Sequence, residues 1–402
     1  MVSSLAFIFL LGLCFAALFA KLKLPRIIGM LFSGILMGPY VLNLLEPTIL
    51  EVSPDLRQIA LIIILLKAGL SLNVVDLKKV GRPAVLLSFV PACFEIIGFI
   101  VLAPVFFQLS VIEAALMGTV LAAVSPAVIV PRMVRFIEEG YGTEKSIPQL
   151  ILAGASADDV FVIVLFSTVL GLAQGKSVSA TSLTAIPISI VLGIALGVAV
   201  GYLLAIFFEA VNKRGAHIRN STKVVVLLGF AFLLVSLESW LKGVIPLSGL
   251  LAVMSMAIAL QMKTIEKVTK GLSEKFSKLW IGAELLLFVL VGAAVDIRYA
   301  AEAGFNAILL ILLALCFRIL GVFICLLGTQ LNKGERLFCM IAYMPKATVQ
   351  AAIGGVPLAM GLPCGSLILT VAVVSILVTA PLGAFAIDRS HKKLLSQERR
   401  RE

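Results

Sequence analysis

Apolar residues fill this chain in long runs joined by short polar links. A helix that crosses a bilayer needs about 20 mostly apolar residues, each adding about 1.5 Å of rise. That rule predicts thirteen spans, at 4–20, 26–43, 56–73, 84–108, 112–137, 148–173, 185–210, 223–241, 244–262, 279–297, 304–330, 335–361 and 363–387. Two of them are interrupted. The fifth reads Ala122-Ala123-Val124-Ser125-Pro126-Ala127-Val128-Ile129-Val130-Pro131, and each proline removes a backbone donor. The twelfth reads Tyr343-Met344-Pro345-Lys346-Ala347-Thr348-Val349-Gln350 and runs on through Gly354-Gly355 to Pro357. Unwound backbone at membrane depth survives only where protein or a water-filled cavity surrounds it.

The two interruptions occupy corresponding places. Each broken span is followed by an unbroken one and preceded by a span with one central charge, Glu95 in the fourth and Arg318 in the eleventh. The broken spans stand seven apart, an odd number, so the units around them cross the membrane in opposite directions. Paired interrupted helices in inverted halves point to a transport site near the bilayer midplane. The expected architecture is an all-α integral membrane protein of 1–402, with two inverted-repeat core bundles at 84–173 and 304–387. Residues 1–73 and 185–297 supply mostly scaffold, dimerisation and linking helices. The polar stretch from Lys263 to Lys278 reads as an amphipathic surface helix.

Composition supports the membrane reading. Hydrophobic residues make up 61% of the chain and charged residues 14%, with a mean hydropathy of +1.13, which excludes a soluble domain. The links have no room for a nucleotide-binding domain and hold no phosphate-binding loop, which argues against transport driven by ATP. The net charge of +11 comes from Lys and Arg concentrated on alternate links, among them Lys78, Lys79 and Arg82, Arg132 and Arg135, and Lys263 to Lys278. That asymmetry places the C-terminus in the cytoplasm and, with thirteen spans, the N-terminus outside. The same links favour anionic lipid headgroups over nucleic acid. The six cysteines lie within spans with no C-x-x-C pair, as small apolar fillers would.

The central charges are Lys67, Glu95, Asp158, Asp159, Glu284, Arg318 and Lys346. A carboxylate at the bilayer centre costs roughly 2.5–3.5 kcal/mol on insertion scales, and two neighbouring ones also repel. Asp158 and Asp159 are therefore the candidates for holding a cation or a proton. On a helix they point about 100° apart, so one can face a cavity while the other meets a neighbouring helix. Burial and a like-charged neighbour favour the protonated form, and a nearby cation favours the ionised one. Ser125, Ser156, Thr348, Gln350 and the carbonyls freed at the breaks supply further oxygens. Lys346, in the second break, either neutralises an aspartate or changes its proton affinity with cation occupancy. Glu95 and Arg318 are expected to pair, a contact suited to a bidentate guanidinium. Lys67 can snorkel towards an interface. Both His217 and His391 fall outside the spans, so protons must ride on carboxylates or a lysine.

The runs Ala123-Val124-Ser125-Pro126, Ser156-Ala157-Asp158-Asp159 and Pro345-Lys346-Ala347-Thr348-Val349-Gln350-Ala351-Ala352 resemble the cation–proton antiporter superfamily, closest to its NHA-type sodium/proton branch. The resemblance implies the crossed-helix sodium/proton antiporter fold and a homodimer whose core moves like an elevator against a dimerisation domain. It implies a multi-pass transporter of the plasma or inner membrane, not an enzyme, without a cofactor. Na+ or Li+ would be exchanged for H+, with Asp159 carrying the ion and Asp158 assisting. The double aspartate resembles electrogenic members and the Glu95–Arg318 pair resembles electroneutral ones. A K+/H+ antiporter on the same fold and a cation channel stand as alternatives. An intramembrane aspartyl protease would need its two aspartates on facing helices, and here they adjoin on one.

Overall fold

The computed structural model describes residues 1–22, 24–71, 81–174, 180–213, 218–241 and 247–397. Lys78, Lys79 and His217 lie outside these residues, as does the side chain of Ser156. Apart from one isolated β-bridge between Tyr141 and Gln397, the regular structure among the described residues is helical. Among the described residues eight helices are long and apolar enough to cross a membrane, with four shorter apolar helices at Arg26–Met37, Val111–Leu121, Gly249–Lys263 and Thr348–Ala359.

Twelve of the thirteen expected spans fall on these helices, several of them divided, and the third, 56–73, falls on Ser53–Ser71, which is not among them. The fifth becomes Val111–Leu121 and Pro126–Glu138, with non-helical backbone from 122 to 125. The twelfth becomes Lys333–Ala342, Thr348–Gly354 and Val356–Ala359, with non-helical backbone from 344 to 347. Pro126 stands at the first turn of its half-helix, where its missing N–H is no loss. The polar stretch after Lys263 does not form a helix of its own. Glu266–Ala293 is one continuous helix that carries this stretch straight into the tenth span. No proline interrupts that run, so nothing ends the helix at the membrane boundary. His391 likewise falls inside the last helix, Gly365–Leu394, which outlasts its predicted span.

The chain divides into two compact units. The first comprises Met1–Pro54, Asn73–Ala173 and Leu285–Glu402, and the second comprises Asp55–Leu72 and Gln174–Glu284. Both expected repeat bundles fall in the first unit, as do residues 1–54. In the second unit, helix Ala180–Lys213 lies against Gly249–Lys263 through a ladder of glycines. A Cβ on Gly193, Gly197 or Gly201 would fall 2.7, 2.2 or 2.3 Å from the carbonyls of Ser248, Ala252 and Met256. Small residues at this spacing let membrane helices approach backbone to backbone. In the same unit Lys67 sits with its Nζ 5.9 Å from the Trp280 ring centroid.

Within the first unit, each broken span opens on a reciprocal capping box. Ser110 Oγ accepts from Glu113 N–H while Glu113 Oε2 accepts from Ser110 N–H. Asn332 Oδ1 accepts from Glu335 N–H while Glu335 Oε2 accepts from Asn332 N–H. The half-helix Pro126–Glu138 is anchored to the last helix, where Arg132 donates from Nε and Nη2 to Asp388 Oδ2 at 3.1 and 3.0 Å. The His391 ring stacks on Phe136, 4.5 Å between centroids. A Cβ on Gly383 would fall 2.4 Å from Pro345 Cγ, so the last helix presses directly on the second break.

Candidate functional site

The two breaks meet. Ser125 N–H donates to the carbonyl of Pro345 at 2.8 Å, joining the unwound backbone of one repeat to that of the other. Around this junction stand Glu95 from helix Val90–Phe107, Asp158 and Asp159 from Ile147–Ala173, Arg318 from Ile297–Cys325, and Lys346 from the second break. All five are buried, Asp159 the least so at 9% exposure.

Arg318 organises them. Its Nη1 donates to Glu95 Oε2 at 2.9 Å and to the carbonyl of Ala122, its Nη2 to Asp158 Oδ2 at 2.9 Å, and its Nε to the carbonyl of Tyr343 at 2.7 Å. Its guanidinium carbon lies 5.6 Å from the Tyr343 ring centroid. The expected pair with Glu95 is thus present, but it is not a bidentate fork. Arg318 divides its two terminal nitrogens between Glu95 and Asp158. The second cation on Glu95 is Lys346, whose Nζ donates to the same Oε2 at 2.5 Å. Lys346 therefore pairs with the glutamate rather than with an aspartate.

The two aspartates differ sharply. Asp158 Oδ2 accepts from Val124 N–H, inside the first break, at 2.9 Å, and also from Arg318. It places a carboxylate at the N-terminal end of the half-helix that begins at Pro126, where backbone N–H groups carry partial positive charge. Asp159 Oδ1, Asp158 Oδ1 and Ser125 Oγ are buried and have no hydrogen-bond partner among the described residues. Buried oxygens are normally satisfied, and unsatisfied ones mark a place for a ligand, ion or water. Among the described residues no group of three or more His, Cys, Asp or Glu side chains could hold a metal ion. The open oxygens are hard donors that suit an alkali cation or a proton.

Residues 5–389 match the family described as sodium/hydrogen exchanger, transmembrane. The chain belongs to the sodium/hydrogen exchanger family. Sodium/hydrogen exchanger 9B2 of Mus musculus is 32% identical over 388 residues, covering 94% of this chain and 70% of the relative. The Homo sapiens 9B2 protein is 34% identical over 388 residues, covering 93% and 70%. The solved structure of the sodium proton antiporter MjNhaP1 from Methanocaldococcus jannaschii at pH 8 superposes with a TM-score of 0.83 at 23% identity, covering 98% of each chain. That likeness gives the fold, an all-helical antiporter architecture. The protein is a multi-pass membrane transporter, and the potassium exchanger and channel alternatives are not favoured.

In this exchanger, three carbonyls at the first break, Leu121 to Ala123, are not open. Ala122 accepts from Arg318, and Leu121 and Ala123 accept from Gln350 Nε2 at 3.3 and 2.7 Å. Gln350 Oε1 in turn accepts from Ala347 N–H at 2.8 Å. Thr348 is buried at the first position of its half-helix. Tyr343, through its carbonyl and its ring, and Thr379 belong to the site without having been predicted. Thr379 Oγ1 accepts from Lys346 N–H at 2.9 Å. Backbone carbonyls carry no sequence signal, and a threonine in a membrane helix reads as a packing residue.

Proposed function

We propose that this exchanger moves Na+ or Li+ against H+ by alternating access, with Asp159 as the carrier that binds either ion in turn. The observation that carries this reading is the contrast between neighbours: Asp158 is held through its Oδ2 by two donors, whereas among the described residues Asp159 Oδ1 meets none. Asp158 assists by holding the first break in place, and Ser125, whose Oγ has no partner among the described residues, is a candidate for an added ligand. Glu95, Arg318 and Lys346 form the scaffold of charge around them.

Charge supports one-for-one coupling. Three carboxylates, Glu95, Asp158 and Asp159, face two cations, Arg318 and Lys346. With all ionised, one negative charge remains, and a single proton or a single Na+ offsets it. We assign the moving core to the repeats at 84–173 and 304–387, which supply all five charges. Dimer contacts and scaffold fall to the remaining helices, 1–73 and 185–297, in a homodimer working as an elevator. The basic links face the cytoplasm of a cell membrane, with the C-terminus inside and the N-terminus outside, and bind anionic lipid headgroups.

The test is reconstitution in liposomes with an imposed pH gradient and Na+, Li+ or K+ added separately. Na+ and Li+ should dissipate the gradient. Because protons compete for the carrier, the Na+ KM should rise by up to about tenfold per pH unit as pH falls. One-for-one exchange should be indifferent to an imposed potential, which would act on any net charge moved with about 2.3 kcal/mol per 100 mV. A gradient that none of these cations dissipates would refute the reading.

A further inference from the structure

The two breaks are related by a two-fold pattern that fails at one bond. The capping boxes Ser110/Glu113 and Asn332/Glu335, and the half-helix N-caps Ser125 and Ala347, recur at one constant spacing along the chain. At that spacing Val124 corresponds to Lys346. The N–H of each is taken by a side chain of the following helix, Asp158 Oδ2 and Thr379 Oγ1, both at 2.9 Å. Ala123 corresponds to Pro345. Since Ser125 N–H donates to the Pro345 carbonyl at 2.8 Å, symmetry calls for Ala347 N–H to donate to the Ala123 carbonyl. Instead an amide is inserted between them: Gln350 Oε1 accepts from Ala347 N–H at 2.8 Å, and Gln350 Nε2 donates to Ala123 O at 2.7 Å. The counterpart of Gln350 in the first repeat is Val128, which has nothing to donate or accept.

Three consecutive carbonyls, Leu121 to Ala123, are thereby satisfied by Gln350 and Arg318, and the next N–H, Val124, holds Asp158. The amide has only one workable orientation, because an N–H faces its oxygen and two carbonyls face its nitrogen. We infer that Gln350 is a positioning residue for cation exchange: it spaces the two breaks by one amide, fixes the Leu121–Val124 backbone on which Asp158 docks, and contributes no ligand to the cation. This rests on the exchange reading above, and deepens it.

The test uses the full-length protein in liposomes, with the Na+ KM measured across pH for wild type, Gln350→Met and Gln350→Glu. Methionine keeps the volume and loses both ends of the bridge. Its Na+ KM should rise about tenfold or more at every pH, the scale of one unsatisfied buried polar group. A protonated glutamic acid keeps an acceptor and a donor, while an ionised one has no donor. The KM of Gln350→Glu, relative to wild type, should therefore be near one at acid pH and climb as pH rises. A ligand role predicts the opposite, because an added carboxylate would tighten Na+ binding at alkaline pH. A packing role predicts a ratio that does not change with pH. Either result overturns the inference, as does a wild-type KM in Gln350→Met. Should Gln350→Met fail to fold, the pH trend of Gln350→Glu decides. Loss of exchange in the wild-type protein would instead remove the transport reading itself.

Discussion

The two faces of the aspartate helix, one residue apart, are built to opposite ends. On one, Asp158 is fully buried and tied to the first break and to Arg318. On the other, Asp159 is slightly exposed and, among the described residues, its Oδ1 meets no donor. Identical side chains acquire different roles from what lies across from them. A buried charge with partners on two other elements holds those elements together, and breaking it is costly. A buried charge without them is poised to accept whatever positive ion arrives.

The contrast can be broken by substitution, and the effects should be graded. Asp159→Asn should reduce exchange to that of protein-free liposomes while leaving the thermal melt close to wild type. The framework side should fail differently. Glu95→Ala and Arg318→Ala should each lower stability by about 3–5 kcal/mol, because each strands a buried partner charge. The double variant should lose less than the sum, and strict additivity in thermal melts would show that the two do not interact. Asp158→Asn keeps oxygen acceptors for Val124 N–H and Arg318 but loses the charge. It should cost about 1.5–3 kcal/mol and raise the Na+ KM while exchange persists. Ser125→Ala removes a hydroxyl that has no partner, so stability should stay within about 0.5 kcal/mol. Any effect should appear only as a modest rise in Na+ KM.

Much of this framework was legible in the chain itself. The apolar runs located the helices, the prolines at 126 and 345 located the breaks, and the charges in apolar spans included all five members of the cluster, alongside Lys67 and Glu284, which lie in the second unit. What sequence does not encode directly is who meets whom. The division of Arg318 between Glu95 and Asp158 follows from the breaks lying against each other, a contact distant in the chain. The break carbonyls were expected to be free for a cation, since the local backbone cannot bond them. Arg318 and Gln350 bond them from another helix and the other break. One signal was present in plain view. Ser110-x-x-Glu113 and Asn332-x-x-Glu335 are capping-box sequences, and their matching places reveal the repeat that hydrophobicity only suggests.

The central claim is that Na+ and a proton occupy Asp159 by turns. It is tested most directly by calorimetric titration of Na+ into the purified exchanger, in buffers of different ionisation enthalpy, across a range of pH. The account predicts that about one proton is released per Na+ bound at acid pH, falling to none at alkaline pH as affinity rises. In Asp159→Asn it predicts no Na+ binding. Na+ binding of equal affinity at every pH, with no proton released, would contradict it.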